Sequence, residues 1–235
     1  MAGDAGDAMT ACRQLWVVVP AYNEGQVIAG VVGGLRSAHR DVVVVDDCST
    51  DATGAAAAAA GAVVVRHPVN LGQGAALQTG ISYALERGAD CIVTFDADGQ
   101  HRVEDIAVLI DVQARTGADV ILGSRFLGQS ENMPPLRRAV LKLAAFVTRR
   151  TTGLPLTDAH NGLRLFTRTA AQRLRITQDR MAHASEITHQ IRALGLSVAE
   201  APVTIVYTEY SLHKGQTLGN AFNIVAELIA ARFSK

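Results

Sequence analysis

Two carboxylates separated by one residue, Asp96 and Asp98, are the groups in this chain best suited to chemistry. They follow five largely apolar residues, Cys91 to Phe95, which predicts a buried strand that leads into the acidic pair. Residues two apart on a strand share a face, and two adjacent carboxylates repel each other unless a cation or a proton lies between them. A divalent cation with oxygen ligands meets this need, and such a cation usually binds together with a phosphate. The alternative is a solvated turn, because Asp-Gly is a strong turn pair.

The composition is that of a globular chain with a sizeable core and no dominant charge. Of the 235 residues, 49% are hydrophobic and 19% are charged, and Lys+Arg and Asp+Glu both number 22. This balance does not indicate nucleic acid as a partner. Residues 1–14 lack the apolar segment of a secretory signal, and no apolar run approaches the roughly 18–20 residues of a membrane span. We therefore expect a protein that can contact a membrane surface without crossing it.

The cysteines favour a reducing environment. Their number is odd, and Cys12, Cys48 and Cys91 form no C-x-x-C pair. We therefore expect neither a disulfide framework nor a zinc site, which is consistent with a cytoplasmic protein.

The first half of the chain alternates between strand and helix patterns. Short apolar runs predict strands at Leu15–Val19, Val42–Val45, Val63–Val65, 91–95 and Val120–Leu122. The helix patterns between them lie at Glu24–Ala38, at the alanine run 55–60 with Asp51 as its cap, at about Gly74 to Arg87, and at Ile106–Thr116. Strands that alternate with helices predict an α/β fold with a mainly parallel sheet, right-handed crossovers and helices on both faces.

The pattern changes after Gly123. The remaining predicted elements are a basic amphipathic helix at Arg137–Arg150, strands at Leu163–Phe166 and Val198–Val206, and helices at Met181–Leu194 and Leu218–Phe233. We find no repeat and no long linker, so we predict one domain at 15–235 after a disordered N-terminus at 1–14. Its C-terminal portion, 127–235, is expected to cover the ligand edge of the sheet formed by 15–126.

Polar clusters follow three further predicted strands. After the first, Tyr22 offers an aromatic face for a flat ring and Glu24 can accept hydrogen bonds. After the second, Asp46 and Asp47 can accept from a base N–H or a ribose hydroxyl. After the third, the glycines of 70–76 allow the backbone to run close to a ligand. Each cluster alone is compatible with a polar loop, a helix cap or an ordinary turn. Because the carboxyl ends of parallel strands meet at one edge, together they predict a nucleotide site with a metal.

These segments carry a resemblance to a known family. PAYNE, DDCSTD, NLGQGAA, DADGQH and GSRF occur in the order and at the intervals found in family 2 type inverting glycosyltransferases, and the chain resembles them. The resemblance is specific from Val17 to about Phe126 and looser from Asp158 to Tyr207. Its nearest relatives look like polyprenyl- or dolichyl-phosphate sugar synthases. It implies a GT-A type nucleotide-sugar-binding fold, with 127–235 as the acceptor side. One departure is Cys48, where the family usually has glycine.

The resemblance also implies the residues that bind ligands. The nucleotide sugar would contact Pro20, Ala21, Tyr22, Glu24, Asp47, Gly74, Asp96, Ala97 and Asp98. The implied cofactor is Mg²⁺ or Mn²⁺, and its ligands would be Asp96, Asp98 and Gln100. Donor phosphates or the acceptor would contact Arg125, Arg137, Arg138, Arg164 and Lys214.

The catalytic assignment depends on the acceptor. The candidates are Asp98, Arg125, Asp158 and Glu186. A hydroxyl acceptor needs a carboxylate to take its proton, whereas a phosphate acceptor is already an anion and needs cationic positioning. Asp158 could serve as that base, orient Arg164 or help to bind the metal, and Glu186 aligns loosely with the base of hydroxyl-acceptor members. His160 is either a further metal ligand or a structural residue.

We therefore expect a metal-dependent inverting glycosyltransferase that uses a UDP- or GDP-sugar. Its first expected acceptor is a polyprenyl phosphate, at the cytoplasmic face of the membrane, with peripheral membrane contact through the basic helix at Arg137–Arg150. That helix could equally pack on the core and expose a solvated basic face. The alternatives are transfer to a sugar hydroxyl, a sugar nucleotidyltransferase and a non-catalytic nucleotide-binding module. A homo-oligomer or a membrane partner protein is compatible with all of them.

Overall fold

A computed structural model describes residues 12–39, 41–178 and 182–208. The described strands are β1 (Leu15–Ala21), β2 (Asp41–Asp46), β3 (Val63–Arg66), β4 (Cys91–Thr94), β5 (Val120–Glu131), β6 (Arg164–Thr167) and β7 (Val198–Val206). The described helices are α1 (Ile28–Ala38), α2 (Thr53–Ala59), α3 (Gln73–Glu86), α4 (Asp105–Thr116), α5 (Pro135–Thr152), α6 (Arg168–Arg173) and α7 (Ala182–Ala193). The predicted helix Leu218–Phe233 lies outside the described residues. None of the described helices is long and apolar enough to cross a bilayer.

The strands form one mainly parallel sheet with the order β3-β2-β1-β4-β6-β5-β7, which confirms the predicted fold class. Strand β6 is the exception, because it runs antiparallel to both β4 and β5. The register pairs Arg164, the first residue of β6, with Thr94, the last residue of β4. An antiparallel β6 therefore begins at the edge where the parallel strands end, which the sequence pattern did not predict.

Both faces of the sheet are buried, as expected for parallel strands that read as continuous apolar runs. Along β1, Val17 and Val19 pack into one core, while Trp16 and Val18 pack into the other. Helices α1, α2 and α4 cover the first face, and helices α3, α6 and α7 cover the second. This alternation follows from the two-residue period of a strand.

Several element boundaries differ from the predicted ones. Pro20 lies within β1 and pairs with Val45, because β4 leaves β1 after Val18 and the proline has only one neighbouring strand. Strand β5 continues to Glu131 along β7, past an irregularity between Ser124 and Gln129. Its polar second half carries no apolar run that could have predicted it.

The cysteines also differ from expectation. Cys12 and Cys91 form a disulfide, so the expectation of no disulfide framework was wrong for this pair. The physical reason is proximity: Leu15 of β1 is the register partner of Cys91, and the chain just before β1 brings the Cα atom of Cys12 to 5.1 Å from that of Cys91. Cysteine usage therefore no longer supports a reducing compartment. Cys48 is the free cysteine of the described chain.

Helix α3 packs on the sheet through Gly80, and this contact generates a prediction. A Cβ atom at Gly80 would lie 2.3 Å from Val18 Cγ1 and 3.2 Å from Val45 Cγ2. Gly80→Ala should therefore lower the free energy of unfolding by about 1–3 kcal/mol, although alanine favours helix by up to about 1 kcal/mol. Urea denaturation measures this change.

The matched control is Gly30→Ala in α1, where an added Cβ meets nothing within 4 Å. This variant should be as stable as the wild type or up to about 1 kcal/mol more stable. Equal stabilities for the two variants would contradict the packing account.

Candidate active site

A cavity of about 370 Å³ opens at the edge where the parallel strands end. It gathers most of the residues that the sequence predicted. From β1, and from the turns that follow β1 and β2, it is lined by Pro20, Ala21, Tyr22, Glu24 and Asp47. Its centre is lined by Asp96, Ala97, Asp98 and Gln100, and its cationic side by Arg125, Arg137 and Arg164.

The acidic pair lies in the turn after β4 instead of on the strand. Strand β4 ends at Thr94, where its pairing with β1 and β6 stops. Asp96 Oδ2 accepts a hydrogen bond from His101 Nε2 at 3.0 Å, and Asp96 Oδ1 accepts one from Gln73 Nε2 at 3.3 Å. Asp98 Oδ1 accepts from the backbone N–H of Gln100 at 3.0 Å. Asp96 is therefore held by protein groups on both oxygens.

The pKa values of the two carboxyl groups are shifted in opposite directions. Burial raises the pKa of Asp98 and the charge of Asp96 adds to this, so that the pKa of Asp98 reaches about 6. Burial also acts to raise the pKa of Asp96, but the hydrogen bond and charge of His101 and the charge of Arg164 outweigh it and lower the pKa overall. Asp96 is thus a stabilised carboxylate, whereas Asp98 favours a proton or a cation beside it.

The donor groups around Asp98 suit a divalent cation that is shared with a ligand. Carboxylate and amide oxygens are hard ligands, and Mg²⁺ commonly takes one or two carboxylates together with substrate phosphates. Within residues 12–39, 41–178 and 182–208, no group of three or more His, Cys, Asp or Glu side chains could hold a metal ion. Asp98, Asp96 and Gln100 could therefore supply only part of a metal's ligands.

Arg125 is buried, and a carboxylate balances its charge. Its Nε atom donates to Asp158 Oδ2 at 2.6 Å, its Nη1 atom to the Tyr207 hydroxyl at 2.8 Å and its Nη2 atom to the His160 carbonyl at 3.2 Å. Burial acts to lower the pKa of Arg125, but the charge of Asp158 outweighs it and raises the pKa. Asp158 is 2% exposed and lies behind Arg125, outside the cavity lining. Its hydrogen bond orients Arg125 instead of Arg164, which was one of the three roles considered for it, although its charge still acts on Arg164.

Arg164 is a buried cation with an unused donor. It is 3% exposed, yet it lines the cavity, and its Nη1 atom has no hydrogen-bond partner among the described residues. Burial lowers its pKa, and the charges of Asp96 and Asp158 oppose this effect. A buried N–H group without a partner is costly and needs an explanation, which an anion in the cavity would supply.

Four predicted residues of the described chain are not on the cavity wall: Asp158, treated above, and Arg138, Gly74 and Glu186. Lys214 lies outside the described residues. The exposed Arg138 donates to Ser130 Oγ at 3.3 Å. Gly74 is buried against the segment before α7, since a Cβ there would lie 1.9 Å from the Gln178 carbonyl oxygen. The absence of a side chain at Gly74 allows the backbone at Gln178 to pack closely against α3.

Glu186, the fourth, binds this same segment. Its carboxylate accepts from the Thr177 backbone N–H at 2.9 Å, the Thr177 hydroxyl at 2.6 Å and the Gln178 backbone N–H at 2.9 Å. Partial burial acts to raise the pKa of Glu186, but these hydrogen bonds outweigh it and lower the pKa. Glu186 thus anchors residues 177 and 178 and does not line the described cavity.

The cavity also contains residues to which the sequence analysis gave no role. Gln73, His101 and His183 all line it. His101 belongs to the DADGQH segment, so its position after the acidic pair was an available signal, whereas nothing local singled out His183. His160, left open as ligand or structural residue, also lines the cavity, and burial lowers its pKa to about 4.

The turn after β2 keeps a glycine-like conformation in spite of Cys48. The φ angle of Cys48 is +62°, in the left-handed region that side chains disfavour. Its thiol donates to the Pro68 carbonyl at 3.5 Å. The turn therefore keeps the left-handed conformation that glycine adopts easily, although a cysteine occupies the position.

Comparisons with known proteins identify the family of the chain. The Glycosyl transferase family 2 profile matches residues 16–175. A UDP-N-acetylglucosamine–dolichyl-phosphate N-acetylglucosaminyltransferase from Methanococcus voltae is 31% identical, over 95% of this chain and 98% of the relative. A polyprenol monophosphomannose synthase from Mycolicibacterium smegmatis is 32% identical, over 96% of this chain and 91% of the relative.

Solved structures share the fold. The glucosyl-3-phosphoglycerate synthase of Mycobacterium tuberculosis, crystallised with Mn²⁺, UDP-glucose and phosphoglyceric acid, superposes with a TM-score of 0.74 at 19% identity. The match covers 97% of this chain and 80% of that one. The chain therefore belongs to glycosyl transferase family 2 and is a glycosyltransferase with a GT-A type fold.

Proposed function

We propose that the protein transfers a sugar, with inversion, from a nucleoside-diphosphate sugar to a polyprenyl-phosphate-type lipid at the cytoplasmic face of a membrane. One observation carries the proposal: a single cavity is lined by an acidic pair and by buried guanidinium groups. The first suits a diphosphate bound through Mg²⁺ or Mn²⁺, and the second suits an anionic acceptor. The two curated relatives described above are named as dolichyl-phosphate and polyprenol-phosphate sugar transferases, which supports this acceptor class.

On the donor side, the protein's own residues would bind and orient the nucleoside-diphosphate sugar. Tyr22, 45% exposed at the cavity wall, offers a face to a base, and Glu24 and Asp47 offer acceptors. Asp98, Asp96 and Gln100 would hold the metal, which when bound stabilises negative charge on the departing diphosphate without proton transfer. His101 keeps Asp96 in place through its 3.0 Å hydrogen bond.

On the acceptor side, Arg125 and Arg164 line the cavity, whereas Asp158 and Glu186, the two carboxylates considered as acceptor bases, do not line it. Asp158 neutralises Arg125, and Glu186 binds residues 177 and 178. A phosphate acceptor carries its own negative charge and needs no base, so Arg125 and Arg164 are the appropriate groups to position it. The fold alone leaves the acceptor open, since the solved neighbour is a glucosyl-3-phosphoglycerate synthase.

Helix α5 supports peripheral membrane contact. Leu141, Ala144 and Ala145 are buried, whereas Leu143 and Phe146 remain about half exposed, at 52% and 51%. The helix also carries basic residues and no acidic one. An apolar strip beside basic groups is the pattern of helices that lie in the interface of anionic membranes.

The first prediction from this proposal concerns Asp98. With a radiolabelled UDP- or GDP-sugar and a polyprenyl phosphate, the wild type should move label into the organic phase, and Asp98→Asn should reduce the rate by about 100-fold or more. The free energy of unfolding of this variant should not fall, because burial and Asp96 already disfavour the ionised carboxylate.

The control is Asp111→Asn, which removes an exposed carboxylate paired with Arg115 and should keep wild-type turnover. A polyprenol without phosphate serves as the second acceptor. Label that enters the polyprenol, or an active Asp98→Asn enzyme, would contradict the proposal.

A second prediction separates the acceptor classes. Glu186→Gln should retain turnover within about threefold of the wild type. Its carboxylate accepts hydrogen bonds from the backbone N–H groups of residues 177 and 178 and is not expected to take a proton from the acceptor. Steady-state rates with polyprenyl phosphate measure this. A loss of about 100-fold would instead identify Glu186 as a base and favour a hydroxyl acceptor.

A third prediction concerns helix α5. Phe146→Ser should weaken cosedimentation with vesicles of anionic phospholipid by about tenfold, because it removes an exposed apolar side chain from the interface. Val63→Ser changes an exposed apolar residue on β3 and should bind as the wild type does. Equal binding by all three proteins would refute the role of α5.

A further inference from the structure

We infer that His67 is a positioning residue for the donor site, which it serves by holding the carboxylate of Asp47 and the loop that follows β3. The inference rests on the proposed function, because it takes the ligand of this end of the cavity to be a nucleoside diphosphate. Neither His67 nor this loop-holding role emerged from the sequence motifs.

His67 and Asp47 form a buried pair. His67 is 6% exposed and Asp47 is 3% exposed. The His67 Nδ1 atom lies 2.7 Å from Asp47 Oδ1, and its Nε2 atom lies 3.0 Å from the Thr79 hydroxyl. Because a carboxylate only accepts, Nδ1 carries the proton in this contact. The His67 backbone N–H donates to the Asp46 carbonyl at 2.9 Å, which fixes the backbone of His67 at the end of the β2–β3 ladder.

Asp47 in turn holds the loop. Its Oδ1 atom accepts from the Leu71 N–H at 2.9 Å, and its Oδ2 atom accepts from the Gly72 N–H at 2.7 Å. The Asn70 side chain donates to the Asp47 backbone carbonyl at 3.2 Å. His67 therefore fixes the rotation of a carboxylate that the loop backbone uses as its anchor.

The number of acceptor positions on Asp47 gives this arrangement a consequence for binding. A carboxylate offers about four lone-pair positions. Three of them accept from protein donors, namely His67 Nδ1 and the backbone N–H groups of Leu71 and Gly72. Both Oδ1 positions are filled, so a ligand can use only the remaining position on Oδ2. A ligand N–H or hydroxyl group is thus directed to one oxygen at the cavity wall.

The loop leads directly into the part of the cavity that holds the acidic pair. Gln73, which follows Gly72 and begins α3, lines the cavity and donates to Asp96 Oδ1 at 3.3 Å. One continuous set of contacts therefore links His67 and Asp47 to the acidic pair. Loss of the His67 contact would free Asp47 to rotate and would loosen the loop at both ends of the donor site.

Two amide variants test this role as a matched pair. The Asn Nδ2 atom is as many bonds from Cα as His Nδ1, so His67→Asn keeps a donor for Asp47. The Gln Nε2 atom corresponds to His Nε2, so His67→Gln keeps only the contact with Thr79. Thr79→Val removes the Thr79 hydroxyl and leaves the contact with Asp47.

Dissociation constants for UDP and GDP, measured by calorimetry with Mn²⁺ present, give the readout. His67→Gln should weaken binding of the preferred nucleotide by about tenfold and raise the donor KM similarly with little change in kcat. His67→Asn and Thr79→Val should stay within about threefold of the wild type. Ser197→Ala, which removes a hydroxyl contact with Asp119 at 2.7 Å, controls for lost stability alone and should bind normally.

The outcomes separate the two proposals. Equal nucleotide affinity in His67→Asn and His67→Gln, with both proteins folded, would overturn the role of His67 and leave the proposed function intact. If Ser197→Ala also weakens nucleotide binding, in proportion to its loss of melting temperature, the effect of His67→Gln would be explained by lost stability and the role of His67 would be overturned. A wild type that binds neither nucleotide would overturn the proposed function itself.

Discussion

The uncompensated negative charge at the end of β4 is the constraint on which the site depends. Two carboxylates, Asp96 and Asp98, enter one cavity, and the described protein groups neutralise them unequally. His101 and Arg164 stabilise the charge of Asp96, whereas burial and its neighbour raise the pKa of Asp98 to about 6. Under the proposed function the position beside Asp98 is taken by a divalent cation, and a phosphate of the donor completes its coordination.

The strand that breaks the parallel pattern supplies part of the basic lining of the cavity. Because β6 is antiparallel, Arg164 starts at the ligand edge beside the end of β4. Arg125 reaches the same space from β5, with Asp158 behind it as a fixed counter-charge. Acidic and basic groups thus line one cavity of about 370 Å³. Under the proposed function, the acidic groups would serve a metal-bound diphosphate and the basic groups an anionic acceptor.

Local patterns predicted those parts of the molecule that depend on local physics. Continuous valine runs identified β1 and β2, and polar residues after several strands identified the shared edge, because strand ends converge in any parallel sheet. The direction of β6, the disulfide between Cys12 and Cys91 and the polar half of β5 depend on long-range pairing. For the same reason Asp158 and Glu186 could be recognised as carboxylates but not assigned: their partners, Arg125 and the backbone at 177 and 178, are set by tertiary contacts.

The most direct test of the charge account is Mn²⁺ binding followed by electron paramagnetic resonance, with and without UDP or GDP. Nucleotide without protein provides the correction for Mn²⁺ that it binds in solution. Because the described side chains supply only part of a coordination shell, Mn²⁺ alone should bind weakly, and the nucleotide should tighten binding by at least about tenfold. Tight Mn²⁺ binding whose affinity does not change when nucleotide is added would contradict the account. Tight binding that persists in Asp98→Asn would contradict it as well.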